Sequence, residues 1–312
     1  MAQKSPQEVT VASTFRSAIV RTPSGPDSIE IIDVPVTEPG PGEVRVAIAG
    51  ATVNPVDLAL TAGVFHALGL ITRSEYTGIG TDFAGTVTAA GPGVELPLGT
   101  RVAGLIGGFD RDFGTYAEQV IVPVSDIARV PDELDLATAA TVPLNSLTAA
   151  QLVDLLGAGD GRDLLVTGAA GAVGGYVIRF AQERGWRVTG LARATDEEFV
   201  RGLGADFTAV ATPGRDAVAD AATLQEAGVP LVRDGGLFVG VRPGAEPPAE
   251  RGITVRAVAV QPDGERLAGF LADTASGRLP ARVHAVLPLD RAADAHRELA
   301  RGGVRGKYVL QP

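Results

Sequence analysis

Residues 163–175 read Asp-Leu-Leu-Val-Thr-Gly-Ala-Ala-Gly-Ala-Val-Gly-Gly, an apolar run broken by glycines at 168, 171 and 174 and followed by Tyr176, Val177, Phe180 and Ala181 at helical spacing. This pattern predicts a strand, a tight turn and a helix. The small residues Gly168, Ala169, Ala170, Gly171, Ala172, Val173 and Gly174 let the backbone approach a pyrophosphate. Free N–H groups and the positive end of the helix dipole would meet its charge. The spacing Gly-x-x-Gly-x-x-Gly departs from the Gly-x-Gly-x-x-Gly fingerprint, so the neighbourhood has to carry the reading. The next apolar run, 187–192, ends about where a βαβ dinucleotide site selects its ribose, and the residue there is Arg193. A carboxylate would accept the ribose 2′-hydroxyl, whereas a guanidinium offers fork-shaped donors to a 2′-phosphate. NADPH is therefore the expected cofactor, with roughly 1.5–3 kcal/mol, or ten- to a hundredfold, resting on one such contact. The competing reading makes Arg193 a solvated charge facing Asp196 or Glu197. Gly240 and Val241 close another run, 237–241. Strand ends at the carboxyl edge of a parallel sheet face the ligand crevice, so backbone contacts to a nicotinamide carboxamide are expected there.

Other chemistries are poorly served. The chain has no cysteine, which removes disulfides, thiolate metal sites and cysteine nucleophiles together. Its three histidines, His66, His284 and His296, are scattered and form no HExxH pattern. No Gly-x-Ser-x-Gly elbow is present. Gly302-Gly303-Val304-Arg305-Gly306-Lys307 imitates a phosphate loop, but its spacing is one residue short, Tyr308 stands in the Ser/Thr position and a strand pattern follows. Asp196-Glu197-Glu198 opens a helix, where it meets the dipole as a solvated face.

The elements that must position these residues fall into two textures. Up to about residue 125, short β-type runs (17–22, 29–34, 43–53, 83–90, 101–104 and 117–124) alternate with Gly/Pro punctuation. Strand and helix patterns alternate from 163 to 241, the signature of a parallel sheet covered by helices, with a helix expected over 224–233. An edge strand is expected at 253–260 and a helix at 264–275. The last patterns, 282–288, 291–301 and 308–310, find no place in that sheet and are expected to return to the first unit. The division is 1–136 with 281–312 against 137–280. Between 206 and 216 the chain is short, leaving little room for a helix before the fourth strand.

The 312 residues carry 27 Lys+Arg against 37 Asp+Glu, a net charge of −10, which disfavours nucleic acid or an anionic membrane as partner. With 45% hydrophobic and 21% charged residues the chain can bury real cores. The longest uncharged stretch, 136–153, contains Pro143, Asn145, Ser146 and Gln151 and does not read as a membrane span. Residues 1–13 lack an apolar h-region and read as a frayed leader, so the cytoplasm is expected.

Several segments together resemble the medium-chain dehydrogenase/reductase superfamily, in its zinc-independent quinone oxidoreductase (zeta-crystallin-like) branch. They are Val53-Asn54-Pro55-Val56-Asp57, Gly80-Thr81-Asp82-Phe83-Ala84-Gly85, Gly99-Thr100-Arg101-Val102-Ala103-Gly104, Gly114-Thr115-Tyr116-Ala117-Glu118, Thr141-Val142-Pro143-Leu144, Thr148-Ala149, the glycine turn, Leu203-Gly204-Ala205-Asp206 and Arg305-Gly306-Lys307-Tyr308. Nearly the whole chain is covered. The resemblance implies an α/β protein in which a GroES-like, mostly antiparallel β domain is interrupted by a Rossmann domain, with the active site in the cleft between them. Zinc-dependent relatives hold a metal with a Cys and a Gly-His-Glu motif; the matching positions here are Asn54 and Gly80-Thr81-Asp82, so no metal is expected.

The resemblance further implies that Asn54 orients a carbonyl or the cofactor ribose, although Asn-Pro is also a common turn. Asp57 is a candidate substrate contact or a structural residue, Phe65 a candidate wall for a flat acceptor, and Thr148 a nicotinamide contact or a packing residue. Tyr76, the nearest phenol, is a candidate proton donor. The expected activity is metal-independent transfer of hydride from NADPH to a quinone or an α,β-unsaturated carbonyl. The alternatives are an enoyl reductase of a specialised-metabolite pathway, or a nucleotide-binding protein without redox turnover that acts as a sensor or a non-redox cyclase or isomerase. Relatives often dimerise through the Rossmann domain, so a homodimer is expected, with 253–260 as the edge.

Overall fold

The computed structural model describes residues 13–73 and 75–312, so the expected leader lies, apart from Ser13, outside the described residues. Thr14–Val20 and Ile29–Pro35 form an antiparallel pair, and the short strand Thr77–Gly78 joins the other side of Thr14–Val20. The strand Glu43–Thr52 is the hub of a seven-stranded sheet, pairing with Asp82–Ala90, Gln119–Pro123 and Lys307–Gln311. The sheet continues through Arg101–Leu105 to Ile127–Arg129 on one side and through Lys307–Gln311 to Val283–Pro288 on the other. Alternate residues Val44, Val46 and Ile48 are buried, as the one-sided burial of an antiparallel sheet requires. Between Ile48 and Gly50 the register shifts. A bulge there re-aims the strand, and Ala51, Thr52 and Val53 are all buried immediately before Asn54.

The second sheet is wholly parallel, in the order Asp206–Thr208, Arg187–Leu191, Asp163–Thr167, Arg215–Asp220, Val232–Gly240, Thr254–Ala257. Its ends are in register: Thr208, Leu191, Thr167, Asp220, Gly240 and Ala257 lie side by side. The strand order reverses at Asp163–Thr167, which opens the ligand crevice of a doubly wound sheet beyond Thr167. Six residues, 209–214, connect Thr208 to Arg215 without a helix.

The helix expected over 224–233 does not form. Gln225–Ala227 and Val229–Leu231 are separate 3-10 turns, and the following strand starts at Val232. Gly228 and Pro230 divide the segment, and a proline that far inside a helix would lose a backbone bond. The edge strand is also shorter than 253–260, spanning Thr254–Ala257. Helix Pro143–Leu156 is buried on nearly all sides. Its Leu144 and Leu147 join Leu105 and Val56 of the first unit to Val260 and Phe270 of the second. Among the described residues no helix is long and apolar enough to cross a membrane.

Candidate active site

Strand Asp163–Thr167 runs into Gly168, whose φ of 60° is left-handed. Gly171 then caps helix Ala172–Glu183. A Cβ at Gly174 would lie 2.2 Å from the Gly168 carbonyl oxygen, so only glycine lets the helix start this close to the turn. No side chain caps the helix, which leaves its first N–H groups available to an anion. Beside the turn, Asp220 accepts hydrogen bonds from Thr167 Oγ1 at 2.6 Å, Leu224 N at 3.0 Å and Gln225 N at 2.9 Å. These bonds fold 221–225 against the turn, with Ala222 the nearest neighbour of Gly168. The cradle, the free N–H groups and the aligned strand ends fit a dinucleotide pyrophosphate.

Arg193 follows the strand Arg187–Leu191, where the ribose-selecting position was expected. Its Nε donates to Asp196 Oδ2 at 3.0 Å; the Arg193 side chain is 56% exposed and that of Asp196 3%. The expected Arg193–Asp196 contact is present, but Asp196 is buried and is not part of a solvated face, and the contact engages only Nε of Arg193. Among the described residues the two terminal nitrogens of Arg193 make no hydrogen bond. Arg305, from the other unit, forms an ion pair with the other oxygen of Asp196 at 2.6 Å and donates to the Thr195 carbonyl at 2.9 Å. One buried carboxylate therefore aligns two guanidinium groups.

Asn54 stands at the start of helix Pro55–Thr61, and its N–H donates to Asp57 Oδ2 at 2.8 Å, one leg of a capping box. Its amide is engaged inside the protein. Nδ2 donates to Asp82 Oδ1 at 2.9 Å and to the Thr52 carbonyl at 3.1 Å, while Oδ1 accepts from the Lys307 ammonium. Thr52 Oγ1 donates to the same Asp82 oxygen at 2.5 Å. Asp57 accepts from Thr81 Oγ1 at 3.0 Å and from the Tyr116 hydroxyl at 3.3 Å, and that hydroxyl lies 3.2 Å from His296 Nε2. Asn54, Asp57, Asp82, Tyr116, His296 and Lys307 are all buried.

Burial raises the carboxyl of Asp82 to about 6, against the attraction of Lys307 and the hydrogen bond from Thr52. It raises Asp57 in the same way, opposed by the hydrogen bonds from Asn54 and Thr81. The Lys307 ammonium is pushed down by burial and held up by Asp82 and Asp57. Arg111 is lowered to about 10 by burial and held up by Asp57; its terminal nitrogens bond the carbonyls of Gly80 and Gly108. Two carboxylates and two cations thus compensate each other beneath the cleft. A zinc ion does not fit. Its expected donors are replaced by Asn54, Thr81 and Asp82, and an ammonium sits on the Asn54 oxygen, where it would repel a dication.

The expected roles sort accordingly. Asp57, a candidate substrate contact, is a buried structural acceptor whose two oxygens both serve the protein. Asn54 is brought to the cleft floor, but its amide already has partners at both ends. Tyr76 is placed elsewhere: it packs 6.0 Å from Phe113 and beneath Arg21, beside the three-stranded sheet. The phenol that reaches the buried carboxylates is Tyr116. Phe65, on the short helix Val64–Ala67, stacks on Phe109 at 4.0 Å between ring centres, giving a flat apolar surface. Thr148 is buried on helix Pro143–Leu156. Gly240 and Val241 sit at the carboxyl edge, where Gly240 is level with Asp220.

Sequence reasoning missed Lys307, Arg282 and Arg305. The segment around Lys307 imitates a phosphate loop, which hides the available signal: a lysine opening the buried strand Lys307–Gln311 needs buried acceptors.

Comparison with known proteins agrees with this geometry. The family described as "Alcohol dehydrogenase GroES-like domain" matches residues 40–132, and "Zinc-binding dehydrogenase" matches 192–310. The "2-methylene-furan-3-one reductase" of Solanum lycopersicum is 31% identical over 288 residues, covering 86% of this chain and 72% of that protein. The "Pikromycin polyketide synthase component PikAII" of Streptomyces venezuelae is 32% identical over 302 residues, covering 87% of this chain but only 8% of that much longer protein. Among solved structures, the quinone oxidoreductase from Coxiella burnetii superposes with a TM-score of 0.84 at 24% identity, covering 96% of this chain and 100% of that one. An NAD-dependent alcohol dehydrogenase superposes with a TM-score of 0.80 at 30% identity, covering 95% and 99%. From motifs, fold and relatives together, the chain belongs to the medium-chain dehydrogenase/reductase superfamily.

Proposed function

We propose that this oxidoreductase uses NADPH and delivers hydride to a quinone or an α,β-unsaturated carbonyl without a metal. The observation that carries the reading is the pairing of the glycine turn with Arg193, whose terminal nitrogens stay free beyond the ribose-selecting strand. Residues 168–174 would receive the pyrophosphate, Arg193 the 2′-phosphate, and the backbone at Gly240 and Val241 the carboxamide. NADPH, when bound, supplies the hydride. With no dication to stabilise an alkoxide, the site suits an acceptor that is already polarised. Phe65 and Phe109 offer a flat acceptor an apolar face. Both oxygens of Asp57 and both ends of the Asn54 amide serve the floor of the cleft, so solvent supplies the proton that completes reduction.

A second reading, reduction of an enoyl thioester, is favoured by the similarity to a polyketide synthase component over 302 residues. The deciding experiment is a fluorescence titration with NADPH and NADH, followed by an acceptor panel of quinones, enones and enoyl thioesters. We expect tighter NADPH binding and oxidation by at least one acceptor class. Turnover with enoyl thioesters alone would transfer the assignment to the second reading. Tight binding without oxidation across the panel would leave a nucleotide sensor or a non-redox catalyst.

In the same titration, Arg193→Ala should weaken NADPH by about ten- to a hundredfold while changing NADH little. Equal losses for the two would remove Arg193 from cofactor selection.

A further inference from the structure

Three of the seven large apolar residues exposed among the described residues fall in one short segment: Val64, Leu68 and Leu70, at 36%, 51% and 51%. The other four, Leu98, Val124, Val210 and Val286, are scattered, and isolated exposure of that kind is ordinary. A cluster calls for an occupant. The segment 64–71 reads Val-Phe-His-Ala-Leu-Gly-Leu-Ile, without a carboxylate, lysine or arginine. Helix Val64–Ala67 ends in a turn where the N–H groups of Leu70 and Ile71 donate to the Phe65 carbonyl at 2.9 and 3.3 Å. Ile71 is buried and anchors the turn, while Leu68 and Leu70 stay in solvent.

This segment continues the stacked rings of Phe65 and Phe109, and the loop that carries Phe109 starts on the floor of the cleft. The Ile106 N–H donates to the Thr81 carbonyl at 2.8 Å, and the Thr81 hydroxyl bonds Asp57. A Cβ on Gly107 would lie 3.3 Å from Pro262, so the same loop touches the second unit. The loop is tied down from two sides. Arg111 bonds the carbonyls of Gly80 and Gly108. From the segment after Ile71, Thr72 Oγ1 donates to Asp110 Oδ2 at 2.7 Å and Arg73 Nε to Asp110 Oδ1 at 2.7 Å. Arg73 Nη2 donates to the Asp110 carbonyl at 2.9 Å, and Nη1 to Asp112. All three guanidinium nitrogens of Arg73 are thereby engaged, so this cation is not free to receive an anionic group.

We infer that Val64, Leu68 and Leu70 form a surface for a neutral aliphatic tail on the acceptor, whose reducible head lies against Phe65 and Phe109. The inference rests on the hydride-transfer reading and deepens it: the acceptor is lipophilic, a quinone or unsaturated carbonyl that carries an alkyl chain. A chain laid on these residues removes apolar area of both partners from water, worth roughly two- to fourfold in affinity per methylene. The bonds from Thr72, Arg73 and Arg111 fix both loops before the acceptor arrives, so little ordering entropy opposes the contact. A head without a tail leaves Leu68 and Leu70 in water. These two residues therefore read tail length, and the rings of Phe65 and Phe109 read the head.

The test measures kcat/KM on the full chain at saturating NADPH for 2-alkyl-1,4-benzoquinones, 1-alken-3-ones and 2-enoyl thioesters, each as a series from methyl to octyl. In at least one series kcat/KM should rise roughly two- to fourfold per methylene over the first few, carried by KM, and then level off. In the double variant Leu68→Ser, Leu70→Ser the octyl-to-methyl ratio of kcat/KM should fall by about tenfold or more, toward one. Both positions are exposed, so the fold should tolerate the changes, and thermal unfolding recorded alongside verifies this. Should the double variant unfold, Leu68→Gln alone gives the same comparison. A flat chain-length profile in the wild type would overturn the tail surface and leave hydride transfer intact. A rising profile that the variant keeps would also overturn it, by placing the tail elsewhere. No turnover in any series would overturn the acceptor reading and the tail surface together.

Discussion

Asp57 and Asp82 show how residue types that suggest catalysis can instead build a floor. Each carboxylate receives hydrogen bonds from neighbours fixed by a bulge, a helix cap or a strand, and each is buried. Tyr116 links this floor to helix Ala292–Arg301 through His296. With the Tyr116 proton given to Asp57, His296 must donate from Nε2, and its Nδ1 has no partner. Tyr116→Phe removes two modest hydrogen bonds and should cost about 1–2 kcal/mol in chemical denaturation. A variant as stable as wild type would show that the network contributes nothing net.

Burial lowers the His296 imidazole to about 4 from 6.5. It stays neutral in the fold but charges in the unfolded chain, so the stability it supplies is complete above pH 6.5 and is lost as pH falls through 4. Asp82, raised from 3.8 to about 6, acts in the opposite sense: its contribution is complete below pH 3.8 and is lost as pH rises through 6. The two slopes oppose each other between pH 4 and 6. Thermal midpoints of His296→Gln should therefore fall less between pH 6.5 and 4 than those of the wild type. Parallel pH profiles would refute this account.

At the scale of elements, the crevice depends on a loop under backbone strain. Thr223 and Gln225, at φ of 56° and 54°, lie in the left-handed region within the segment that Asp220 ties against Gly168. A β-branched residue there is strained by about 1–2 kcal/mol. Thr223→Gly should raise stability by roughly 0.5–1 kcal/mol, because the glycine's extra unfolded-state entropy offsets part of the relief. Urea unfolding measures this, and a destabilised variant would mean that the threonine side chain supplies more than the strain costs. The same segment replaces the expected helix over 224–233. Its bonds to Asp220 hold it as a loop at the carboxyl edge, where a helix would have carried the chain away from the turn.

At the scale of the whole molecule, two sheets share one chain, and the cleft between them is closed by residues that return late. Arg305 pairs with Asp196 and Arg282 bonds the glycine turn, so two contacts from 282–305 cross between the units, while Lys307 holds Asn54 within the first. On the far side, Thr254–Ala257 is the last strand of the parallel sheet, with Thr254 and Arg256 exposed. An unpaired edge of this kind invites a second copy. We propose a homodimer through this edge. Light scattering should give twice the chain mass, and Val255→Pro should yield a monomer that still binds NADPH. A wild-type monomer at assay concentration would discard the proposal.

Local patterns in the sequence determined the strand, glycine turn and helix at 163–183, because each step is written in consecutive residues: apolar run, obligatory small residues, amphipathic repeat. They also determined the change from punctuated β-runs to strand and helix alternation, and the position of Arg193 at the end of the following strand. Asn54 and Asp57 were legible as candidate site residues, and Asp82 only as part of the segment that replaces the zinc-dependent relatives' motif. Their partners were not, because Lys307 lies 253 residues from Asn54 and His296 lies 180 from Tyr116. Such contacts arise only once Lys307–Gln311 pairs with Glu43–Thr52. Tyr76 and Tyr116 look alike as phenols in the sequence, and burial against Asp57 alone separates them. Tertiary structure decided which charges are compensated, because desolvation and pairing depend on neighbours that the chain brings together from its two ends.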